Sequence, residues 1–349
     1  MKAVYFLGDR KIAIKTVPDP TPGYGEVVLE IKASGMCGSD LKYYRNKDGA
    51  GSIGLGAPPS GPIIAGHEPC GVVCAVGPGV STPLAQIGRR VMNHHYSGCG
   101  CCRPCNSGWT QMCDAGSVTF GANGDGAHAR YMKVPANSLI ALPDNLSFQA
   151  GAAISCGTGT AWGGLQRLSL KGNNTIAIFG QGPVGLSATQ LATAFGARVI
   201  AIDIDDGRLQ LAKDIGADLT INGTAQHAES AILEATSGRG AECTMDCSGS
   251  TAARSAAVRS AGKWGRVVFL GEGGTVTIDV SNEMNRKQLS LFGSWTFSKN
   301  GQEECARFVS ERRIDVDRLF THSWLLDDAE AAYQLFDTHT TGKGYLIPS

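Results

Sequence analysis

Between residues 1 and about 148 the apolar positions come in short runs, KAVYF, EVVLEIKAS, GVVCAV, RRVMNHH and ARYMKV, divided by Gly, Pro and Asn. Runs of this length, rich in β-branched and aromatic residues and bounded by turn formers, predict short strands. The texture changes near residue 149. TIAIFG, RVIAIDID, CTMDCSG and RVVFLGEGG are compact apolar runs of the kind that form buried strands, and they alternate with PVGLSATQLATAF, DGRLQLAKDIG and STAARSAAVRSA, which have helical period. That alternation predicts βαβ units in a parallel sheet. Past residue 293 two further helical stretches, GQEECARFVSERR and LDDAEAAYQLFDT, precede a last apolar strand, GYLIP. The pattern divides the chain into 1–148, 149–292 and 293–349, and 349 residues suit two domains at about 150 each. LSLFGSWTF, 289–297, is a β-rich segment expected at a sheet edge, where it could pair with a second copy.

Composition removes several classes of function. Lys plus Arg and Asp plus Glu both number 31, so the formal net charge is zero and neither nucleic acid nor an anionic membrane has an electrostatic handle. No apolar run approaches the ~18 residues of a membrane span. Asp9-Arg10 interrupts the N-terminal run too early for a signal-peptide core, so a cytoplasmic location is expected. Glycine is abundant, 47 residues, yet without period. It therefore marks tight turns and close backbone approaches, not a collagen repeat or a linker.

Chemistry concentrates in SGCGCCRPCNSGWTQMC, where five cysteines fall between 99 and 113. A disulfide knot, a metal site and a redox relay are the candidates. In a reducing compartment disulfides are rarely stable, which favours metal. Cys99, Cys102, Cys105 and Cys113 form a C-x2-C-x2-C-x7-C array, and four thiolates close a tetrahedral shell with no open position, as in a structural zinc site. Cys101 is left over and competes for register. A DNA-binding zinc module is disfavoured, because Arg103 is the only base nearby and no recognition helix follows.

A second pattern lies in the region of helical alternation. Ile176-Ala177-Ile178-Phe179 leads into Gly180-Gln181-Gly182-Pro183-Val184-Gly185 and then a helix. Gly180 permits the tight turn, Gly182 lets the backbone approach a pyrophosphate, and Gly185 allows helix and strand to pack closely. The helix N-terminus offers unpaired N–H groups to the phosphates. RVIAIDID ends its strand with Asp203, 23 residues after Gly180, where a carboxylate can accept ribose hydroxyls and repel a 2′-phosphate. NAD is thus expected over NADP, with Arg208 as the residue that argues the other way.

A third set is dispersed. Cys37 lies in ASGMCGSD, His67 and Glu68 in AGHEPCG, and Cys156 in ISCGTGTAWGG. Each alone reads as a buried small residue or a satisfied core histidine. Together, two thiolates and an imidazole would make a three-ligand zinc site with its fourth position open, the catalytic arrangement. Spacing alone does not bring them together.

Here the sequence resembles a known family. Gly66-His67-Glu68, Gly71, Gly77 and Val80 fit the G-H-E-x-x-G-x5-G-x-x-V signature of the zinc-containing medium-chain alcohol dehydrogenases, and Cys37-Gly38-Ser39-Asp40 resembles that family's C-G-[ST]-D segment. The cysteine loop and the glycine fingerprint follow in the family's order, over nearly the whole chain. The resemblance implies a GroES-like β-barrel catalytic domain interrupted by an α/β Rossmann domain, a doubly wound parallel sheet, with the active site in the cleft between them. It implies Cys37, His67 and Cys156 as catalytic-zinc ligands, Glu68 as a near-ligand and Asp40 as the carboxylate on the His67 ring. Ser39 resembles the hydroxyl that bonds the substrate oxygen and starts a proton relay. Thr160 and Val184 correspond to positions flanking the nicotinamide. Tyr43, His95 and Trp295 fall near positions that line the substrate pocket.

The departures narrow the substrate. Polyol-dehydrogenase relatives commonly carry glutamate at position 156, where this chain has cysteine as the plain alcohol dehydrogenases do. Lys42 stands where many relatives have the histidine that passes the proton to solvent, and an exposed lysine with water taking the proton is the simpler expectation. His94-His95 are adjacent and expected on opposite faces of a strand, unsuited to sharing an ion. The expected activity is reversible, NAD-linked, zinc-dependent oxidation of a secondary alcohol or polyol to the ketone, with two zinc ions per chain, in a homotetramer or dimer. The alternatives are a threonine or amino-alcohol dehydrogenase and a non-catalytic nucleotide- or redox-sensing protein on the same scaffold. A sensor would be expected to have lost a ligand or the hydroxyl, and all are present. A zinc-free quinone reductase would lack the cysteine loop.

Overall fold

Glu26–Gly35 alternates, with Val27, Leu29, Ile31 and Ala33 on one face and Glu26, Glu30 and Lys32 on the other, and it is hydrogen-bonded in antiparallel fashion to Glu68–Val76, Tyr131–Pro135 and Lys343–Ile347. These belong to a seven-stranded sheet that continues through Arg90–Asn93 to Leu139–Ala141 on one side and to Phe320–Leu325 on the other. The computed structural model describes residues 1–47, 61–339 and 342–348. Register shifts at Val28/Leu29 and Ile31/Ala33 bend the central pair, as bulges do, and help curl the sheet around its core. Val27, Leu29, Ile31, Val73, Val91, Met132, Val134 and Leu139 meet inside it. A second apolar cluster joins Val4, Met36, Leu41, Tyr44 and Ala65 to Ala329, Ala332, Tyr333 and Phe336 of the helix Ala329–Phe336. Each fully buried aliphatic side chain contributes about 1.5–3 kcal/mol, so this cluster anchors a C-terminal helix beside the Cys37 loop.

From Thr160 to Phe297 the chain forms a separate compact unit, and Met1–Gly159 with Ser298–Ser349 form the other. The division falls later than the change of texture near 149. The physical reason is Phe148–Ile154: this helix, capped by the Ser147 hydroxyl, packs on Glu26–Gly35 and Glu68–Val76 and so belongs to the barrel.

The Thr160–Phe297 unit holds a six-stranded sheet in the order Leu219–Asn222, Arg198–Asp203, Thr175–Phe179, Ala241–Asp246, Ala261–Phe269, Ser290–Gly293. All its pairings are parallel. Numbered within the unit this is 3-2-1-4-5-6, the doubly wound order that binds dinucleotides where the strand order reverses. The inner strands are buried along almost their whole length, as expected of strands covered by helices on both faces. Pro183–Ala194, Asp206–Asp214, Ala228–Ala235 and Thr251–Ser260 are the helices between them. The 289–297 segment narrows to a strand over Ser290–Gly293, half-buried at the sheet edge.

Candidate active site

Three separate turns deliver the dispersed set to one point. Cys37 lies in the turn between the central strand and the short helix Asp40–Arg45, His67 precedes the strand Glu68–Val76, and Cys156 lies between Phe148–Ile154 and Gly157–Arg167. One ligand atom each from Cys37, His67, Glu68 and Cys156 lie within 4.8 Å of one another. The sulfurs of Cys37 and Cys156 are 3.8 Å apart, far beyond a disulfide bond. Two Zn–S bonds of about 2.3 Å at a tetrahedral angle place their sulfurs ~3.8 Å apart. The donor set and its spacing therefore fit zinc. Glu68 Oε1 is buried without a hydrogen-bond partner, a second sign that a cation completes the group.

Asp40 Oδ1 lies 2.8 Å from His67 Nδ1, and Asp40 Oδ2 accepts the Cys37 N–H at 2.9 Å. One carboxylate thus ties down two of the ligands. Burial pulls the His67 ring down, but Asp40 and then Cys37 outweigh it and hold its pKa well above the ordinary value. Burial pushes Asp40 the other way and is outweighed by His67, so its carboxyl stays ionised. The hydrogen bond from Cys156 is the largest influence lowering the Cys37 thiol. Ser39 Oγ sits at the mouth of the set, 3.2 Å from Cys37 Sγ and 3.3 Å from His67 Nε2.

Sequence reasoning missed Lys343. It is fully buried, its ammonium touches Glu68 Oε2, and it donates to the Met36 carbonyl at 3.2 Å. Burial raises the Glu68 carboxyl to about 8 against the pull of Lys343, whereas Lys343, although burial lowers it, is held above its ordinary value by the carboxylate. The first direction favours a neutral acid and the second a charged pair. The charged pair is the better account, because a buried ammonium in direct contact with a carboxyl group needs its anion. A lysine opening a strand looks like an exposed end in sequence, and nothing in GKGYLIP signals otherwise.

The other predicted positions separate. His95 is buried with its ring centroid 5.3 Å from that of His67 and its Nδ1 2.7 Å from the Ser155 carbonyl. Burial lowers its pKa well below the usual imidazole range, followed by His67. Tyr43 is buried on Asp40–Arg45, and Lys42 is exposed on the same helix. Trp295 belongs to the other unit, with its indole nitrogen 3.2 Å from Glu272 Oε1. His94 and His95 do not face opposite ways. Strand pairing ends at Asn93, and beyond it the two rings lie 6.1 Å apart and nearly parallel. They still serve different partners, His94 Nδ1 being 3.1 Å from Gln302 Oε1.

In the cysteine loop, sulfurs of Cys99, Cys102, Cys105 and Cys113 gather within 4.8 Å of one another, and all twelve cysteines are free. Cys102 and Cys113 sulfurs are 3.9 Å apart, again a tetrahedral spacing. Backbone N–H groups of Cys101 and Cys102 lower the Cys99 thiol to about 6. Cys101 Sγ is 3.5 Å from Cys99 Sγ yet lies outside the group. Cys102→Ser is accordingly expected to cost one zinc per chain, while Cys101→Ser leaves zinc content at the parent value. Elemental analysis of the purified variants checks both, and loss of zinc from Cys101→Ser would reverse the ligand register.

In the Thr160–Phe297 unit, a Cβ on Gly185 would stand 1.7 Å from the Gly180 carbonyl, so helix and strand approach as closely as the fingerprint requires. Gly182 caps Pro183–Ala194 with open space before it, and Val184 lies half-buried in the first turn. Asp203 ends its strand and accepts backbone N–H bonds from Gln181, Ile204 (2.7 Å) and Asp205 (3.1 Å). Arg208 is in the first turn of Asp206–Asp214, and Thr160 is buried on Gly157–Arg167.

Two family models match the chain: the alcohol dehydrogenase GroES-like domain over residues 23–144 and the zinc-binding dehydrogenase over 183–311. Over 98% of its length the chain is 38% identical to an uncharacterized zinc-type alcohol dehydrogenase-like protein, YphC, of Escherichia coli, covering 97% of that protein. It is 32% identical to sorbitol dehydrogenase of Bacillus subtilis, over 96% of this chain and 93% of the other. A solved structure, an alcohol dehydrogenase (rspB) of Escherichia coli CFT073 complexed with NADH, superposes with a TM-score of 0.87 at 28% identity, covering 99% of each chain. A doubly wound dinucleotide fold set into a GroES-like barrel that carries two metal-ligand sets defines a nicotinamide-linked, metal-dependent oxidoreductase. This chain belongs to the zinc-containing medium-chain alcohol and polyol dehydrogenases. It is an enzyme of NAD(P) and zinc acting on small-molecule alcohols.

Proposed function

We propose that the protein oxidises a secondary alcohol or polyol to the ketone with NAD, reversibly, using one catalytic and one structural zinc per chain. The convergence of Cys37, His67 and Cys156 at zinc spacing is the observation that carries it. Cys37 Sγ, His67 Nε2 and Cys156 Sγ would hold the catalytic ion, with Glu68 beside it, and Cys99, Cys102, Cys105 and Cys113 the structural one. Bound there, zinc supplies a Lewis acid that lowers the pKa of an alcohol hydroxyl. Ser39 Oγ, next to both Cys37 Sγ and His67 Nε2, is positioned to take the hydrogen bond of that hydroxyl and pass its proton outward. Asp40 keeps the His67 proton on Nδ1, which leaves Nε2 as the donor. Lys343 holds Glu68 back as an ion-paired neighbour of the ligand set.

Asp203 supports NAD over NADP. Its carboxylate, fixed by three backbone N–H groups at the end of the second strand of the unit, would repel a 2′-phosphate. The Ser290–Gly293 edge supports self-association by strand pairing, in a homotetramer or a dimer, and the balanced charge supports the absence of nucleic-acid and anionic-membrane partners. Steady-state assays over polyols, simple secondary alcohols and L-threonine, each with NAD and NADP, test the proposal. The expected result is turnover of a secondary alcohol or polyol with at least a tenfold preference for NAD, on the order of 1.4 kcal/mol. Preferential turnover of L-threonine, or of NADP, would contradict it.

A further inference from the structure

Behind Asp40 lies a line of buried polar groups to which none of the motifs assigns a role. Tyr333 Oη is 3.0 Å from Asp40 Oδ2, His128 Nε2 is 2.7 Å from Tyr333 Oη, and Ser34 Oγ is 2.6 Å from His128 Nδ1. Ser34, Asp40, His128 and Tyr333 are all fully buried. They come from the central strand, the short helix after Cys37, the segment before Tyr131–Pro135, and the C-terminal helix.

We propose that this line is directional, and that Tyr333, steadied by His128, is a positioning residue that fixes Asp40 and through it the orientation of the metal ligand His67. The proposal rests on the zinc reading above. Direction follows from what each group can give. A carboxylate only accepts, so the Tyr333 hydroxyl proton points to Asp40 Oδ2. The phenol oxygen has then spent its proton and must accept from His128 Nε2–H. A neutral imidazole protonated at Nε2 leaves Nδ1 as an acceptor, and the Ser34 hydroxyl donates to it. Burial holds the His128 ring neutral, with its pKa lowered to about 4. Every proton in the line thus points towards Asp40, which also receives the Cys37 N–H and faces His67 Nδ1.

Packing alone does not ask for the hydroxyl. The Tyr333 ring meets Phe6, Tyr44 and Phe336 in an apolar cluster that a phenylalanine would fill equally well. Space for His128 is reserved in the backbone: Gly66 has φ +88°, and a Cβ there would lie 2.3 Å from His128 Nδ1. The glycine preceding His67 therefore lets the His128 ring stand against the turn that carries the ligand.

The test is Tyr333→Phe in the full chain, loaded with zinc or cobalt(II), with the four-cysteine site of the same molecule as internal standard. Chelator competition is expected to show about tenfold weaker retention of metal at the catalytic set, in the range seen when a group supporting a metal-bound histidine is removed. The cysteine-loop metal stays unchanged, the cobalt ligand-field bands shift, and kcat falls with little change in the KM for the cofactor. Retention and cobalt spectrum equal to the parent would overturn the proposal. If Tyr333→Phe does not fold, His128→Ala and His128→Gln carry the test: alanine loosens the metal, and glutamine, which keeps an N–H donor near Nε2, restores it. Equal retention in those two would overturn it. A parent protein that binds no metal at Cys37, His67 and Cys156 fails the zinc reading itself, and the positioning line with it.

Discussion

His67→Ala is expected to bind one zinc per chain where the parent is expected to bind two, and to oxidise alcohols at least ~1,000-fold more slowly. Zinc as a Lewis acid contributes several kcal/mol to charge stabilisation, and about 4 kcal/mol corresponds to that factor. The variant loses the single nitrogen donor of the set. It also takes from the fully buried Asp40 carboxylate the ring N–H partner that lies 2.8 Å from its Oδ1. Two sulfurs 3.8 Å apart remain, but two ligands do not close a shell that needs three protein donors. Elemental analysis beside steady-state formation of reduced cofactor reads both effects. The loop of Cys99, Cys102, Cys105 and Cys113 keeps its ion, so the loss is confined to one site. Retention of two zinc ions with activity within about tenfold of the parent would mean that chemistry proceeds elsewhere.

The second large effect is on stability. Lys343→Met is expected to destabilise the barrel unit by about 3–5 kcal/mol, the usual penalty for leaving one member of a buried ion pair alone. Methionine approximates the length of the lysine stem and removes the charge, so lost packing contributes little. Glu68 would be left fully buried without its counter-ion. The Met36 carbonyl would also lose its donor. Combining Lys343→Met with Glu68→Gln removes the orphaned charge and is expected to recover most of the loss. Equilibrium urea unfolding of the three proteins decides. A single variant within about 1 kcal/mol of the parent, or a double variant no more stable than the single, would show that the pair is not held as charges.

How far the sequence carried depended on the range over which each feature acts. The glycine fingerprint was legible because strand, turn and helix are contiguous: Thr175–Phe179, Gly180 and Pro183–Ala194 follow each other without interruption. The four-cysteine loop was legible for the same reason, although its spacing left Cys101 as a rival that only the folded loop sets aside. Cys37, His67 and Cys156 stand on separate turns of the barrel, and only the resemblance to a known family joined them. Lys343, Tyr333 and His128 were silent. Each lies in a segment whose local pattern is satisfied by a bland role, a strand end, an amphipathic helix face or a loop, and their partners are as far as 307 residues away in the chain. The change of texture near 149 precedes the division between the compact units at Gly159/Thr160 because Phe148–Ile154 is helical in texture yet packs against the barrel strands. Local pattern sets the type of an element, and long-range packing sets the unit it joins.

The most direct measurement is anomalous diffraction across the zinc absorption edge from crystals of the purified chain. Two peaks per chain are predicted. One should be enclosed by the four loop sulfurs, and the other should lie about 2.0–2.4 Å from Cys37 Sγ, His67 Nε2 and Cys156 Sγ with a remaining corner open. A single peak in the loop, or three side chains turned away from a common point, would contradict the account at its root.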